Sequence, residues 1–301
     1  MGQRSHWAWG DEDQLPDDAE RALLRQQLSG VFGWSLPAPL PYPTLDSARL
    51  PTPRLAIPQI LSAFCVADDR ARARRTYGRA FPDLLRGFQG DFSAAPDFIA
   101  LPSDEAEITA VLSWAAEVGA AVVPYGGGTS VVGGVECRGE GYCGVVCLDL
   151  SRLDRVLEID ETSLQARIQA GTMGPALEAQ LAERGLSLRH FPQSFTHSTL
   201  GGWLATRAGG HFATRYTHID DLVSSIRMLT AQGVWESRRL PGSGAGPSPD
   251  RLVLGSEGTL GVITEAWMRV FPRPQHRSKA TIHFDDFSAA VAATRAIAQA
   301  R

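Results

Sequence analysis

One short stretch constrains the fold of this chain more than any other: an apolar run that leads straight into a cluster of glycines. Residues 120–124 are apolar, Tyr125 follows, and residues 126–130 are three glycines, a threonine and a serine. Glycine tolerates positive φ angles and lets a ligand approach the backbone closely. Successive backbone N–H groups in such a loop can converge on an anion, and the two hydroxyls add donors. The pattern predicts a strand that ends in an anion-binding loop, although a tight structural turn would show the same residues.

The glycine cluster matches neither of the common nucleotide-binding patterns. It lacks the Gly-Lys-Ser/Thr ending of a Walker A loop, and it does not fit G-x-G-x-x-G followed by a helix. Lys279 is the only lysine of the chain, so no lysine beside the loop can neutralise a phosphate, and lysine Schiff-base chemistry is not expected. Neutral backbone donors would therefore carry the binding. This favours the diphosphate of a tightly held cofactor over a nucleotide that is turned over.

Two later segments also combine glycines with hydroxyl groups. Residues 192–210 contain serines, threonines and two glycine pairs, and Ser198 or Thr199 is placed to cap a helix over 199–208. The start of such a helix attracts anions, and the first glycine pair lets a flat ring or another backbone pack closely. Residues 254–263 carry three glycines between two apolar runs, a pattern that is also typical of a β-hairpin.

The first 90 residues read as an N-terminal extension rather than a domain. They contain a helix pattern at 17–28, a proline-rich connector at 35–58 and an arginine-rich helix pattern at 68–76. The charged run 68–75 is most simply a solvated helix face, and recruitment of a phosphate or an anionic surface is the alternative.

Strand and helix patterns alternate from residue 91 onward, which predicts an α+β fold. A domain is expected over 91–275, followed over 276–301 by the incomplete start of a further α+β domain. Ser103 is the expected N-cap of the first helix pattern and Gly119 its end. Strand patterns lie at 97–101, 120–124, 144–150, 155–160, 164–170, 222–230, 252–254, 262–271 and 280–284, and helix patterns at 103–118, 175–184, 199–208 and 288–300.

Composition excludes several classes of protein. Hydrophobic residues make up 44% and charged residues 21% of the 301 residues, the balance of an ordinary globular protein, and the net charge of −4 gives no basic footprint for nucleic acid. Four cysteines are too few for a disulfide scaffold, and no apolar run approaches the ~18 residues that span a bilayer. The first residues resemble no secretory signal, and His6 replaces the serine or threonine that myristoylation at Gly2 requires. A cytoplasmic location is expected.

The three glycine-containing segments, in their order and spacing, resemble the FAD-binding domain of the vanillyl-alcohol oxidase/p-cresol methylhydroxylase (PCMH) family. The resemblance covers residues 90–275. It implies a PCMH-type FAD-binding domain of two α+β subdomains with FAD between them, followed by the truncated start of an α+β cap domain. In the family the first segment holds the diphosphate, the second lines the flavin ring and ribityl chain, and the third lies beside the adenine and ribityl portions. The residues that the resemblance assigns to the cofactor are Pro124, Tyr125, Gly126, Gly127, Gly128, Thr129, Ser130, Gln193, Ser194, Thr196, Ser198, Thr199, Gly201, Gly202, Thr206, Arg207, Ala208, Gly209, Glu257, Gly258, Gly261, Val262 and Ile263.

Within that family the chain most resembles the alkyldihydroxyacetonephosphate synthases, also called alkylglycerone-phosphate synthases. Besides the glycine loop, the likeness rests on residues 7–11, 190–194, 201–208, 219–222 and 255–265. It implies a transferase of ether-lipid biosynthesis that exchanges the acyl chain of acyl-dihydroxyacetone phosphate for a fatty alcohol, through a flavin adduct and without net redox change. It also implies non-covalent FAD and a small or lipid-like substrate, and it leaves peripheral membrane contact and a homodimer open.

The chain departs from the synthase pattern at two places. Gln193 stands where the synthases usually have aspartate, and residues 216–218 read Tyr-Thr-His where Tyr-Gly is usual. In the synthases the histidine, tyrosine and phosphate-binding arginine of the substrate site lie mainly in the C-terminal cap, so no catalytic residue is assigned here. Two other functions stay open: an FAD-dependent dehydrogenase of D-2-hydroxy acids such as lactate or glycolate, which shares this domain, and a non-catalytic FAD-binding fragment that lacks the cap.

Smaller groups of polar residues do not have the spacing of a metal site, and no metal is expected. Ordinary surface or core positions are the most frequent explanation of the histidine group, and one histidine beside the flavin is a better alternative than a metal site. Buried packing explains a cysteine in an apolar strand. The residues considered are His190, His197, His211, His218, Cys137, Cys143 and Cys147.

Three charged residues near the second segment are further candidates. Arg207 can contact a phosphate or a substrate carboxylate, and a structural ion pair is an equally good explanation. Of the neighbouring Asp220 and Asp221, one is expected to cap a turn or to hold a backbone N–H near the cofactor, and the other to face water.

Overall fold

Two sheets organise the chain, each in its own part of the sequence. The computed structural model describes residues 3–213, 218–240, 244, 246–276 and 278–300. The chain divides into two units, Met1–Leu150 and Ser151–Arg301, and each contains helices and one main sheet. The α+β class predicted from the alternating patterns is confirmed.

The first unit contains a four-stranded sheet with the order β1-β2-β4-β3. Its strands are β1 (Cys65–Val66), β2 (Phe98–Ala100), β3 (Ala121–Tyr125) and β4 (Val145–Asp149). β2, β4 and β3 run parallel, while β1 pairs antiparallel with β2. Every residue of β4 is buried, as expected for a parallel strand that is covered on both faces. The glycine loop leaves this sheet at the carboxyl end of the edge strand β3, where ligands of parallel sheets usually bind.

Three of the four described helices of the first unit begin and end close to the predicted residues, whereas α3 was not predicted. They are α1 (Asp18–Phe32), α2 (Asp69–Arg74), α3 (Phe81–Phe88) and α4 (Glu105–Val118), with 3-10 turns at Glu12–Gln14, Leu45–Ser47 and Gln59–Leu61. Asp104 caps α4 by accepting from Glu107 N at 2.8 Å, so the prediction of Ser103 as N-cap is wrong. Ser103 instead donates to the Glu107 carboxylate from its backbone N–H and its hydroxyl. α4 ends at Gly119 as predicted, with a φ angle of 73°.

The arginine-rich segment forms α2, but its arginines do not form the solvated face that the sequence predicted. Arg72 is only 2% exposed, and its guanidinium donates to the carbonyls of Pro96 (2.8 Å) and Pro51 (2.5 Å). Arg75 is also buried and forms an ion pair with Asp149, with 2.7 Å between Nε and Oδ2. The charge run therefore ties α2 to β4 and to distant loops of the same unit.

The second unit contains a five-stranded antiparallel sheet with the order β5-β6-β10-β8-β9. A separate pair of short strands, β7 and β11, also runs antiparallel. The strands of the unit are β5 (Val156–Asp160), β6 (Gln165–Gln169), β7 (Leu186–Ser187), β8 (Val223–Thr230), β9 (Gly233–Glu236), β10 (Val262–Arg269) and β11 (Phe271–Pro272).

Two helices of the second unit share the hydrophobic core of its sheet. Leu177 and Leu181 of α5 and Leu204 of α6 are fully buried, together with Ile168 and Met268 of the central strands. The helices of the unit are α5 (Gly174–Ala182), α6 (Leu200–Thr206), α7 (Ile219–Leu222), α8 (Asp250–Val253) and α9 (Phe287–Gln299), with a 3-10 turn at Phe195–His197. Among all described residues, no helix is both long enough and apolar enough to cross a membrane.

Two strand predictions in the second unit are wrong. Residues 252–254, expected as a strand, belong mostly to the short helix α8. Residues 280–284 are irregular although their sequence alternates like a strand, because no neighbouring strand of the described chain pairs with them. The helix predicted after this segment does form, as α9.

Candidate functional site

In the first unit the glycine loop folds over the ring of the residue that precedes it. Tyr125 ends β3, is buried, and donates from its hydroxyl to the carbonyl of Arg74 at 3.4 Å. Gly128 has a φ angle of 69°, and a Cβ there would lie 2.9 Å from Tyr125 Cε2 and nearer still to the hydroxyl. Burial raises the pKa of Tyr125, which keeps the hydroxyl protonated. Residue 128 must therefore be glycine, for its backbone conformation and for lack of space.

Ser130 fixes the end of the loop through its side chain and its backbone. Its Oγ accepts from the backbone N–H groups of Val132 (3.4 Å) and Gly134 (3.1 Å). Its carbonyl accepts from Arg79 N at 2.7 Å. This approach requires Gly78, because a Cβ there would lie 3.0 Å from Ser130 C and nearer still to its oxygen. The Ser130 hydroxyl can still donate its proton to a ligand.

Arginines supply the positive charge that the single lysine cannot. Arg74 and Arg79 lie close enough to Tyr125 for electrostatic interaction, and Arg4 lies near both Tyr125 and Arg79. The sequence did not indicate that arginines lie near Tyr125, because Arg4 is far from the loop along the chain. The charged run 68–75, which includes Arg74, was the available signal, and its phosphate-recruiting alternative stays a prediction.

In the second unit, two hydroxyl groups organise the start of α6. Thr199 caps the helix by accepting from Gly202 N at 3.3 Å. Ser198 Oγ accepts from Trp203 Nε1 at 2.7 Å and donates to the carbonyl of Ser194 at 2.8 Å. Of the two residues predicted as N-caps, Thr199 caps the helix, and Ser198 instead binds the indole of Trp203.

The two glycines inside α6 have different environments. Gly201 N donates to Ala170 O at 2.7 Å, and a Cβ at Gly201 would lie 2.8 Å from Ala170 Cβ. A Cβ at Gly202 would meet only Thr199 Oγ1, at the ordinary distance of 3.4 Å. Gly201 therefore lets the helix touch the segment that follows β6, as the sequence suggested, whereas Gly202 leaves its surface open.

The third segment packs against the end of α6. Gly255 N donates to Leu204 O (3.1 Å) and Glu257 N to Ala205 O (3.0 Å). These bonds give carbonyls in the last turn of the helix partners outside it. A Cβ at Gly255 would lie 2.8 Å from Arg207 Cδ, so the second and third segments are in contact. The β-hairpin alternative is wrong, because a helix and an irregular turn precede β10.

Arg207 forms a structural ion pair, as one of its two explanations held. It ends α6 with a φ angle of 52°, and its Nη2 lies 2.7 Å from Asp220 Oδ2. Arg251 donates to both Asp220 and Asp221. Asp221 is exposed, as expected of one of the two aspartates, although it also pairs with Arg251, whereas Asp220 is buried and accepts from both arginines. The side chain of Arg207 remains 54% exposed and can reach a ligand as well.

His190 differs from the other three histidines in its burial. It is 2% exposed, its ring centroid lies 5.0 Å from that of Trp203, and a Cβ at Gly210 would lie 3.0 Å from its Nδ1. Its Nε2 is buried and has no hydrogen-bond partner in the part of the chain that is described. Burial lowers the pKa of His190 to about 4, with a smaller contribution from the neighbouring His218. The imidazole is therefore neutral near pH 7, with one ring nitrogen available to a ligand. The spacing of the histidines along the chain did not indicate that His190 is the buried one.

The candidate cofactor residues divide by unit and by exposure. Those at 124–130 lie in the first unit and those from 193 onward in the second. Val262 and Ile263 begin β10 inside the hydrophobic interior. The buried candidates are Tyr125, Gly128, Ser198, Thr199, Gly201, Val262 and Ile263; the half-buried ones are Pro124, Gly126, Gly127, Thr129, Ser130, Ser194, Gly202, Ala208, Gly258 and Gly261; the exposed ones are Gln193, Thr196, Thr206, Arg207, Gly209 and Glu257.

Among the described residues, no group of three or more His, Cys, Asp or Glu side chains is placed to hold a metal ion. The four cysteines are free thiols, and Cys137 and Cys147 are buried. Residues 216 and 217, where the sequence departs from the synthase pattern, lie outside the described residues, while Gln193 is exposed.

These features fit a dinucleotide cofactor such as FAD. Residues 126–128 carry no side chains, and the Tyr125 ring fills the space beneath Gly128, which leaves the outer surface of the loop to backbone N–H groups that suit a diphosphate. The Nε2 of His190, which has no partner among the described residues, offers a hydrogen bond just before the segment assigned to the flavin. The surrounding hydroxyls and amides are neutral donors and acceptors, which suit a ribityl chain and a flavin ring.

Comparison with known proteins agrees with this fit. Residues 96–237 match the family described as FAD binding domain. The alkyldihydroxyacetonephosphate synthase of Dictyostelium discoideum is 41% identical over 231 residues, which is 76% of this chain and 38% of that protein. A solved structure of alkyldihydroxyacetonephosphate synthase has a TM-score of 0.77 and 36% identity, covering 86% of this chain and 48% of its own. The mitochondrial D-lactate dehydrogenase (cytochrome) of Arabidopsis thaliana is 35% identical over 191 residues, 63% of this chain and 33% of that one.

Each of these matches covers only part of the relative, so it supports a shared domain rather than a shared whole protein. The chain spans less than half the length of each of these relatives. The synthase match is longer and more identical than the dehydrogenase match. The resemblance drawn from the glycine segments is confirmed at the level of the domain and of its relatives.

Proposed function

We propose that this chain, which contains an FAD-binding domain of the PCMH type, holds FAD non-covalently as part of an enzyme of the alkyldihydroxyacetonephosphate synthase type. The observation that carries the proposal is the glycine loop after β3, in which Tyr125 leaves no room for a side chain at residue 128. The longer and more identical synthase match supports the choice of enzyme.

The proposal gives each predicted segment a task. Backbone N–H groups of residues 126–128 and the hydroxyls of Thr129 and Ser130 bind the diphosphate. Residues 193–209 and 257–263 hold the ribityl chain, the flavin ring and the adenosine portion. His190 donates or accepts a hydrogen bond through Nε2 as a neutral imidazole. When bound, FAD supplies the ring system on which the chemistry takes place.

The reaction proposed for the whole enzyme is the exchange of the acyl chain of acyl-dihydroxyacetone phosphate for a fatty alcohol, which forms an ether bond. Its substrates are a small phosphorylated ketone and a lipid-like alcohol. No residue of this chain is proposed as a catalytic acid, base or nucleophile. The part of the proposal that this chain must satisfy by itself is the binding of FAD.

The first test is the absorption spectrum of the purified protein, before and after incubation with FAD. Binding is expected to give the two visible bands of oxidised flavin after unbound FAD is removed. Acid precipitation is expected to leave FAD in the supernatant, whereas colour that stays with the precipitate would contradict non-covalent binding. A protein that stays colourless after incubation would overturn the proposal.

A second test separates the synthase from the dehydrogenase of D-2-hydroxy acids. The loaded protein is mixed with D-lactate or glycolate without oxygen, and the visible absorbance of the flavin is followed. A synthase-type protein is expected to keep its absorbance, because its reaction has no net redox change. Bleaching by D-lactate or glycolate would favour the dehydrogenase. Unchanged absorbance is expected for both the synthase and the non-catalytic alternative, and turnover of acyl-dihydroxyacetone phosphate with a fatty alcohol separates these two.

The same proposal includes a cytoplasmic location, peripheral contact with membranes and a homodimer. A lipid-like alcohol as substrate supports contact with a lipid surface, and the net charge of −4 gives no support to a nucleic-acid partner. Co-sedimentation with liposomes and light scattering after gel filtration test these points. A protein that stays in the supernatant, or that elutes as a monomer, would contradict the corresponding part.

A further inference from the structure

Three arginines lie behind the glycine loop, and all of them are outside residues 96–237, the part of the chain that matches the FAD-binding family. They are Arg4, Arg74 and Arg79. The carbonyl of Arg74 receives the hydroxyl of Tyr125, the residue under the loop, and the backbone N–H of Arg79 binds the carbonyl of Ser130, where the loop ends. Two of these arginines thus contact the loop or its support directly.

Arg79 is fixed by backbone carbonyls rather than by an acid. Its Nη1 donates to Gly78 O (2.8 Å), its Nε to Ala8 O (3.1 Å) and its Nη2 to Ser5 O (3.5 Å). No carboxylate of the described residues pairs with this guanidinium, so the carbonyls orient it while its positive charge stays uncompensated. Because the backbone of the same residue holds Ser130, this charge is anchored next to the loop.

Arg74 and Arg4 add charge to the same place. In the described part of the chain, the guanidinium of Arg74 forms no hydrogen bond or ion pair, and burial lowers its pKa. Arg4 pairs with Asp11 at 3.6 Å, and it lies near Arg74, Arg79 and Tyr125. Cations that are close together and partly buried repel one another, and an anion bound beside them relieves that repulsion.

The N-terminal residues 3–12 complete the arrangement as a closed turn. Ser5 N donates to Gly10 O at 3.1 Å, and Trp7 packs edge-on against Phe88 with ring centroids 5.2 Å apart. This turn supplies two of the carbonyls that hold Arg79, and it carries Arg4. Residues 3–12 therefore supply two carbonyls that hold Arg79 beside the glycine loop and one further positive charge, that of Arg4.

We propose that Arg4, Arg74 and Arg79 form a cationic subsite for the diphosphate of the cofactor, and that residues 3–12 hold this subsite in place. The inference rests on the proposed binding of FAD by the glycine loop. It corrects the expectation that neutral donors alone carry the binding. It also gives the N-terminal segment a role in a site from which the sequence pattern separates it by more than a hundred residues.

The test compares variants that remove one positive charge each. Arg74→Gln is the main variant, because the side chain of Arg74 makes no hydrogen bond that folding requires. Arg49→Gln is the control: Arg49 belongs to the same unit, is exposed, and pairs only loosely with Asp91 at 3.7 Å. The dissociation constant for FAD is measured by fluorescence titration of the full chain, at low salt and at about 0.15 M salt.

Arg74→Gln is expected to weaken FAD binding about tenfold at low salt and to flatten its salt dependence, because a positive charge near the loop that attracts the diphosphate is lost. Arg79→Gln is expected to weaken binding at least as much, and Arg79→Lys to restore only part of it, because the carbonyl network needs the guanidinium. Arg49→Gln is expected to bind as the unaltered protein does.

The outcomes separate this inference from the proposed function. If the unaltered protein binds no FAD, the proposed function fails. If it binds FAD and Arg74→Gln binds equally well with the same salt dependence, the cationic subsite is overturned while the proposed function stands. Melting curves of each variant show whether a loss of binding reflects unfolding, and Arg74→Lys, which keeps the charge, is expected to bind nearly as the unaltered protein does.

Discussion

The ring of Tyr125 occupies the space that a side chain at Gly128 would need. A Cβ at Gly128 would lie 2.9 Å from Cε2 of the ring and nearer still to its hydroxyl, and the backbone at 128 has a φ angle of 69°. The hydroxyl is held from the other side by the carbonyl of Arg74. The shape of the loop is thus set from beneath by an aromatic residue, and its outer surface is left to backbone groups.

Gly128→Ala is therefore expected to abolish tight FAD binding. Alanine at a φ angle of 69° costs about 1 kcal/mol of stability, and its Cβ displaces either Tyr125 or the loop. Gly119→Ala is the matched control, because Gly119 has a φ angle of 73° with open space around it. Both variants are expected to melt at lower temperature, but only Gly128→Ala to lose FAD in a fluorescence titration. Equal affinity of the two variants for FAD would contradict a role of the glycine loop in binding.

The glycine pair in α6 gives a second matched comparison. Gly201→Ala is expected to destabilise the protein by about 1–3 kcal/mol, because its Cβ would lie 2.8 Å from Ala170 Cβ and 3.0 Å from Ala170 O. Gly202→Ala is expected to be neutral or to stabilise by up to about 1 kcal/mol, because alanine favours a helix and space is available. Urea unfolding midpoints of the two variants measure the difference. A Gly201→Ala variant as stable as Gly202→Ala would show that the helix can move away from Ala170.

Local patterns predicted most elements of this fold. The apolar run that became β4 and the helical spacing that became α4 were recognisable because each element buries its residues in a regular order. The glycine loop was recognisable for the same reason, since strand, turn residues and hydroxyls follow one another along the chain. Chemistry that lies within ten or fifteen consecutive residues can be found in a sequence.

Features that depend on distant partners could not be predicted. Arg75 and its partner Asp149 are 74 residues apart, and two arginines of a charge run that looks solvated turn out to be buried. The strand pattern at 280–284 fails because a strand also needs a neighbour to pair with. His190 could not be separated from three other histidines, because only packing against Trp203 and Gly210 buries it.

The two neighbouring aspartates after the second segment are expected to differ in their effect on stability. Asp220→Asn is expected to cost about 1–3 kcal/mol, because its buried carboxylate accepts from both Arg207 and Arg251. This expected cost is lower than that of breaking a fully buried ion pair, because both arginines are about half exposed. Asp221→Asn is expected to cost at most about 1 kcal/mol, because its side chain is itself 44% exposed. Chemical denaturation of both variants checks the order, and a larger loss for Asp221→Asn would contradict it.

His190 is expected to make the stability of the folded protein depend on pH. Burial holds its pKa at about 4, against about 6.5 in an unfolded chain, so between these values the unfolded state binds a proton that the folded state does not. Stability therefore rises with pH across this window and is lost as the pH falls from about 6.5 to about 4, by on the order of 1–3 kcal/mol. His190→Gln is expected to flatten the curve of unfolding free energy against pH, with a remaining slope from His6, whose pKa burial also lowers. His276→Gln, at an exposed position, serves as the control and is expected to leave the curve unchanged. If His190→Gln loses stability in acid as steeply as the unaltered protein, the imidazole is not held neutral by burial, and its Nε2 is already partnered in solution.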